Sequence, residues 1–259
     1  MAPLVFITGA SSGLGQSLAA RFYVAGYRLA LVARRADVIE QWAHSAQLNP
    51  QRYRVYCADV SDVEGMATLG AQCIANQGLP DVVIANAGIS IGMDTAIRSD
   101  LAVMQRVFAT NNLGLAATFH PFVRAMAQRG SGRLVGIASV AGIRGLPGHG
   151  AYCASKAGVI AYCESLRGEL RATGVRVVTL SPGYIDTPLT QKNAYRMPFL
   201  MHPDDFAAAA FKAIEAGRSY RVIPWQMAWV ARLLRALPNA VFDRAVAGRP
   251  RKNRAEALE

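Results

Sequence analysis

The chain of 259 residues is 52% hydrophobic and 17% charged, which excludes a disordered or fibrous protein and suits one α/β domain that buries its core without disulfides or metals. Its formal net charge of +11 invites a nucleic-acid reading, but the excess sits at one end, where nine Lys/Arg face three Asp/Glu between Arg218 and Glu259. A basic tail explains that balance better than a basic groove, no DNA- or RNA-binding pattern occurs, and nucleic acid is not expected as a partner.

An apolar run opens at Leu4, so no signal or transit segment is expected ahead of the fold. Strands are predicted over residues 4–8, 27–33, 53–58, 82–85, 133–138, 176–180 and 220–223, with amphipathic stretches of helical length between them. The strands are largely unbroken apolar runs and not alternating ones, as expected for parallel strands covered on both faces. Repeated βα units predict a doubly wound parallel sheet of about seven strands flanked by helices, with ligands bound beyond the carboxyl ends of the strands. Residues 187–200 break the alternation and read as a flap over a pocket. The catalytic unit is expected over 1–223 and a helical, basic extension over 224–259.

After the first strand comes Thr8-Gly9-Ala10-Ser11-Ser12-Gly13-Leu14-Gly15. A glycine turn leading into a helix near Gly13 offers free backbone N–H groups to a dinucleotide pyrophosphate. Gly9 would permit the turn, Gly13 the close approach of phosphates and Gly15 the packing of helix on sheet. The second strand ends in Arg34-Arg35 and not in an acid. An acid there would bind the ribose 2'-OH of NAD, whereas arginine pairs with the 2'-phosphate of NADP, so NADP(H) is expected with NAD(H) as the alternative. The bland reading makes these arginines solvated charges, one neutralised by Asp37 or Glu40. Asp59 is placed to accept from an adenine amino group and Val60 to donate its N–H; the bland reading of Asp59 is a helix cap.

Tyr152 and Lys156 are four residues apart, on one helical face, so the ammonium can lie beside the phenol and favour phenolate. Ser139 stands thirteen residues before Tyr152 at a strand end, within reach of the same substrate oxygen. The order TGASSGLG, Asn86-Ala87-Gly88, Asn111-x-x-Gly114, Ser139, Tyr152-x3-Lys156 and Pro182-Gly183 with Thr187 resembles the short-chain dehydrogenases/reductases over about residues 3–223. The resemblance implies a Rossmann-type fold and an oxidoreductase acting on CH–OH groups. Tyr152 would be the general acid/base, Ser139 would polarise the carbonyl, Lys156 would lower the tyrosine pKa and bind the nicotinamide ribose, and Asn111 would hold a relay water. Asn86, Ala87 and Gly88 would support the adenine side, with Pro182, Gly183, Ile185 and Thr187 around the nicotinamide. Homo-oligomers, dimers or tetramers through the helices carrying Asn111 and Tyr152, are implied too. An NAD-dependent secondary-alcohol dehydrogenase and a non-catalytic dinucleotide sensor or membrane-surface protein are the rivals.

The pocket is expected from Ile89, Ser90, Val140, Ala141, Leu146, His149, Tyr184, Tyr195, Met197, Phe199 and Leu200. That lining is mostly apolar and has no arginine clamp, which points to an uncharged or lipophilic substrate. His149 either meets a polar substrate group or is a solvent-exposed loop residue, the latter being preferred. Cys57, Cys73, Cys153 and Cys163 show neither C-x-x-C nor Cys/His ligand spacing, so buried reduced thiols and no metal are expected. In the extension, Trp225, Trp229, Val230, Leu233, Leu234 and Leu237 form one stripe and Val241, Phe242, Ala245 and Val246 a second. These stripes either pack on the domain or on another subunit, extending the core or roofing the pocket, or dip into an anionic membrane surface, giving a cytoplasmic protein at the inner face of a membrane in the second case. Residues 249–254 read as a flexible basic segment.

Overall fold

The computed structural model describes residues 2–191, 193, 196–248 and 250–254. Strands β1 (Leu4–Thr8), β2 (Arg28–Ala33), β3 (Tyr53–Cys57), β4 (Val82–Ala85), β5 (Gly132–Ile137), β6 (Val175–Pro182) and β7 (Tyr220–Ile223) form one parallel sheet. Their order is β3-β2-β1-β4-β5-β6-β7. The chain therefore walks outward from β1 to β3, then resumes on the other side of β1 with β4. That reversal leaves a crevice at the carboxyl ends of β1 and β4.

Alternation along β1 builds two cores. Leu4 and Phe6 enter the layer beneath α3 (Val63–Gln77), α5 (Gly114–Arg129) and α6 (Gly150–Glu169), while Val5 and Ile7 enter the layer beneath α1 (Gly13–Val24), α2 (Ala36–Ser45) and α7 (Pro203–Glu215). The Phe6 and Phe122 rings lie 4.8 Å apart. α3 meets α5 closely because Gly70 has no side chain: a Cβ there would lie 2.2 Å from Pro121 Cβ. α4 (Asp100–Phe108) runs into α5 through a π-helical turn, Ala109–Leu113, a local irregularity common at functional sites.

Two expectations fail here for physical reasons. Cys57 is exposed, unlike the other three thiols, because it is the last residue of β3, the edge strand of the sheet. The closing segment is docked over its described residues 250–254; Arg249 lies outside the described residues. Gly92 N–H donates to Asn253 O at 2.9 Å, Arg254 donates to both Asp100 oxygens at 2.8 and 3.0 Å, and Arg251 pairs with Asp94 at 3.4 Å. Two carboxylates distant in sequence thus turn a basic tail into a strap.

The extension folds as α8 (Trp225–Ala236) and α9 (Asn239–Val246), with Met227, Ala231, Phe242 and Val246 buried. Arg144 holds it down. Its Nη1 donates to Leu237 O at 2.7 Å and to Leu234 O, its Nη2 donates to Asn239 Oδ1 at 3.0 Å, and its guanidinium lies 4.0 Å from the Phe242 ring centroid. A cation satisfying the last carbonyls of a helix also meets the negative end of the helix dipole.

Candidate active site

The glycine turn is shaped by what a Cβ would strike. Gly9 (φ +69°) and Gly13 (φ +54°) use left-handed backbone, which favours glycine. A Cβ on Gly15 would lie 2.1 Å from Gly9 O. Asn86 ties this turn to β4: its Nδ2 donates to Thr8 O at 3.0 Å and Gly9 O at 3.3 Å, and its backbone N–H donates to Thr8 Oγ1 at 3.2 Å. α1 begins at Gly13 with no side-chain cap, so its first N–H groups face the crevice as an anion site.

The crevice is a cleft of about 810 Å³. Ser11, Ser12, Leu14, Arg34, Arg35, Asp59, Val60, Ala87, Gly88, Ile185 and Thr187 all line it, as do Gly9, Gly13, Asn86, Pro182 and Gly183. Gly15 lies beneath the lining. A large cleft, a turn whose glycines leave no room for side chains, an uncapped helix start and two arginines at the far end fit a nicotinamide dinucleotide.

Arg34 finds neither Asp37 nor Glu40. Its guanidinium pairs with Asp59 at 3.6 Å, whose Oδ1 also accepts from Ser61 N at 2.9 Å and Ser61 Oγ at 2.7 Å. Burial pushes the Asp59 pKa up, but these hydrogen bonds and Arg34 outweigh it and hold the carboxyl below its ordinary range. Asp59 is not the cap of α3; Asp62 is, accepting from Gly65 N at 3.0 Å.

Ser139, Tyr152 and Lys156 share the other end of the cleft. Burial pushes Tyr152 up to about 12, with a hydrogen bond to Ser139 pulling the other way. Burial pulls Lys156 down to about 8. The Lys156 Nζ donates to Ile137 O at 2.8 Å and lies 5.9 Å from the Tyr152 ring centroid. The expected lowering of the tyrosine pKa by Lys156 is not seen: desolvation of the phenol dominates and leaves it protonated. Asn111, buried in the π-helical turn, accepts from Ile89 N at 2.8 Å and donates to Ile89 O at 3.0 Å and Ser155 Oγ at 2.9 Å. Both its N–H donors are committed, so a relay water can join only through Oδ1. Asn112 Nδ2 donates to Ser155 O at 2.8 Å, packing the turn on α6.

A second cavity of about 640 Å³ opens beyond Ser139 and Tyr152, which line both spaces. Ser90, Val140, Ala141, Leu146, His149 and Tyr184 line it as expected. Ile89 instead faces the first cleft. From the flap, Asn193, Arg196 and Pro198 contribute in place of Met197, Phe199 and Leu200; Tyr195 lies outside the described residues. His149 is buried, not solvent-exposed. Its Nδ1 lies 3.1 Å from Pro147 O, and burial holds its pKa below the ordinary value, so it is neutral at pH 7. The lining also holds Arg144, Arg196 and Lys252, basic residues that the expected lining did not include.

The sequence pattern described as short chain dehydrogenase matches residues 3–197. The chain belongs to the short-chain dehydrogenase family. It is 39% identical over 244 residues to an uncharacterized oxidoreductase of Myxococcus xanthus, covering 92% of this chain and 94% of that one. It is 33% identical to the ketoacyl reductase HetN of Nostoc, covering 82% and 75% of the two chains. Among solved structures, an alcohol dehydrogenase from the archaeon Thermococcus sibiricus, complexed with 5-hydroxy-NADP, is 25% identical, with a TM-score of 0.76 and coverage of 85% and 95%.

In this short-chain dehydrogenase the residues missed from sequence come from two places. Arg106 and Thr110 line the first cleft from α4 and from the π-helical turn that follows it, and no spacing announces such a turn. Met227, Ala231 and Lys252 wall the second, joined by Val230, Leu234 and Val246 from the stripes that the sequence could place as a pocket roof. The stripe expected on α8 is split: Val230 and Leu234 face the cavity with Met227 and Ala231, whereas Trp225, Trp229 and Leu233 stay exposed at 62%, 64% and 64%.

Proposed function

We propose that this dehydrogenase uses NADP(H) to interconvert a carbonyl and an alcohol on a substrate with a lipophilic body, with Tyr152 as general acid and base. The observation that carries this reading is the neck between the two cavities, where Ser139 and Tyr152 touch both. Residues 9–15, Arg34, Arg35, Asp59, Val60, residues 86–88, Lys156, Pro182, Gly183, Ile185 and Thr187 would hold a nicotinamide dinucleotide, which would supply or accept the hydride. Tyr152, protonated at neutral pH, gives its phenolic proton to the carbonyl oxygen in reduction, and the Ser139 hydroxyl donates to the same oxygen. The buried Lys156 ammonium stabilises the phenolate as it forms. Asn111 pins Ser155 on α6 and so positions Tyr152, and its Oδ1 takes the relay water.

NADP is favoured by the arginine pair and by the nucleotide of the Thermococcus relative; carbonyl reduction is favoured by the name of the Nostoc relative. Residues 1–223 form the catalytic unit in this reading and 224–259 the extension that walls its substrate cavity. A homo-oligomer would bury Leu113 and Tyr162, exposed at 49% and 40% on the π-helical turn and α6. No helix among the described residues is long and apolar enough to cross a membrane. The exposed Trp225, Trp229 and Leu233, flanked by exposed Arg232 and Arg235, favour attachment to an anionic lipid surface, with the cytoplasm as the place of action.

The test follows NADPH oxidation with a panel of aldehydes, ketones and long-chain 3-keto compounds. Turnover is expected, and Tyr152→Phe should lower it about 100- to 10,000-fold. Turnover indifferent to that change removes Tyr152 from its role; faster oxidation of secondary alcohols with NAD selects the NAD-dependent alternative; and tight cofactor binding without turnover selects a sensor.

A further inference from the structure

The strap that closes the chain is also part of the substrate cavity, and its charges are not treated alike. Arg251 and Arg254 are each matched by a carboxylate, Asp94 and Asp100. Lys252, between them, is not: its Nζ donates to two neutral oxygens, Leu189 O at 3.0 Å and Asn193 Oδ1 at 2.6 Å. A third ammonium N–H is left. No aspartate or glutamate is found among the described residues lining this cavity. Arg196 also lines this cavity and forms no ion pair with a described residue. Arg144 is also there, but its Nη1 is committed to the end of α8 and its Nη2 to Asn239 at the start of α9.

The strap is built to come this close. A Cβ on Gly92 would lie 2.1 Å from Lys252 O, and one on Gly148 would lie 2.9 Å from Arg251 Cβ. The half-buried ammonium is desolvated enough that its pKa falls below the ordinary lysine value. An anion beside it would repay that desolvation.

We propose that the substrate of this dehydrogenase is amphipathic: a lipophilic carbonyl compound whose far end carries a carboxylate or phosphate, bound by Lys252 and Arg196. The proposal rests on the reading of Tyr152 as the reducing centre and deepens it. The apolar walls from Val140, Leu146, Val230 and Leu234 hold the chain between the two ends. It replaces the uncharged substrate expected from sequence.

The test uses a chain-length series of ω-oxo carboxylic acids, their methyl esters and the matching ω-oxo alkyl phosphates, with NADPH and the full-length protein. At the chain length that spans the cavity, kcat/KM for an anionic member should exceed that of the ester at least about tenfold, and the better of acid and phosphate identifies the headgroup. Lys252→Met and Arg196→Gln should each collapse this ratio toward one, and Lys252→Arg should keep it. If Lys252 merely staples the flap to the strap, Lys252→Met lowers acid and ester alike, and the proposal fails. Equal turnover of acids, phosphates and esters in the parent protein also overturns it. Should no carbonyl compound turn over, equilibrium binding of decanoate and decyl phosphate against methyl decanoate to the NADPH-loaded protein decides the matter: anion preference lost in Lys252→Met and Arg196→Gln upholds the anion site while the reductase reading falls, and no preference overturns both.

Discussion

Replacing Arg34 with alanine tests cofactor choice at the point where sequence and structure differ about its neighbours. The side chain is 72% exposed and its partner Asp59 is 42% exposed, at 3.6 Å. Such an exposed pair contributes less than about 1 kcal/mol, so Arg34→Ala should barely change folding stability. Toward a 2'-phosphate the same guanidinium would make charge-assisted hydrogen bonds of about 1.5–3 kcal/mol. Competition from Asp59 and solvent screening put the expected loss toward the lower end. At about 1.4 kcal/mol per decade, NADPH should bind about 10- to 50-fold more weakly, while NADH, which has no 2'-phosphate, should change less than about twofold. Titration of both coenzymes at fixed ionic strength measures this, and raising the salt should shrink the discrimination of the parent protein. Equal weakening of both coenzymes, or of neither, refutes the assignment of Arg34 to the phosphate; the same titrations on Arg35→Ala then show whether its neighbour does the work.

The charge on Lys156 is lost as pH rises through about 8, because burial has brought its pKa down from the ordinary lysine value. Reduction should therefore decline about tenfold per pH unit on the alkaline side, and Lys156→Arg, which stays charged, should move that decline upward; a limb that does not move belongs to another group. Phe122→Ala empties a fully buried site against Phe6 and should cost about 3–5 kcal/mol, read as a lower midpoint in urea with little change in slope. Substituting Ser for both Trp225 and Trp229 should abolish sedimentation with vesicles containing phosphatidylserine and leave NADPH binding intact; unchanged sedimentation sinks the lipid contact.

The first half of the site was legible because its chemistry is local. Gly9, Gly13 and Gly15 act within one turn, and Tyr152 and Lys156 share a helical face, so spacing alone places them. The strands were legible for the same reason, since runs such as residues 4–8 and 82–85 are apolar without interruption. What escaped depends on meetings between distant segments. His149 looks like a loop residue until the walls around it are assembled. Arg144 looks like a surface charge until the end of α8 arrives above it. The strap is anchored by Asp94 and Asp100, more than 150 positions upstream, and nothing in the run Arg249-Pro250-Arg251-Lys252 reveals that pairing.

The family pattern ends at residue 197, whereas a whole wall of the substrate cavity is contributed after residue 225. In the reading proposed above, the coenzyme cleft is built within residues 9–190, whereas the substrate cavity is shared between that stretch and the last helices. Under that reading, changes confined to the last helices should alter substrate choice while leaving the coenzyme cleft intact. Grafting the tail of one relative onto the body of another is accordingly a direct route to new selectivity.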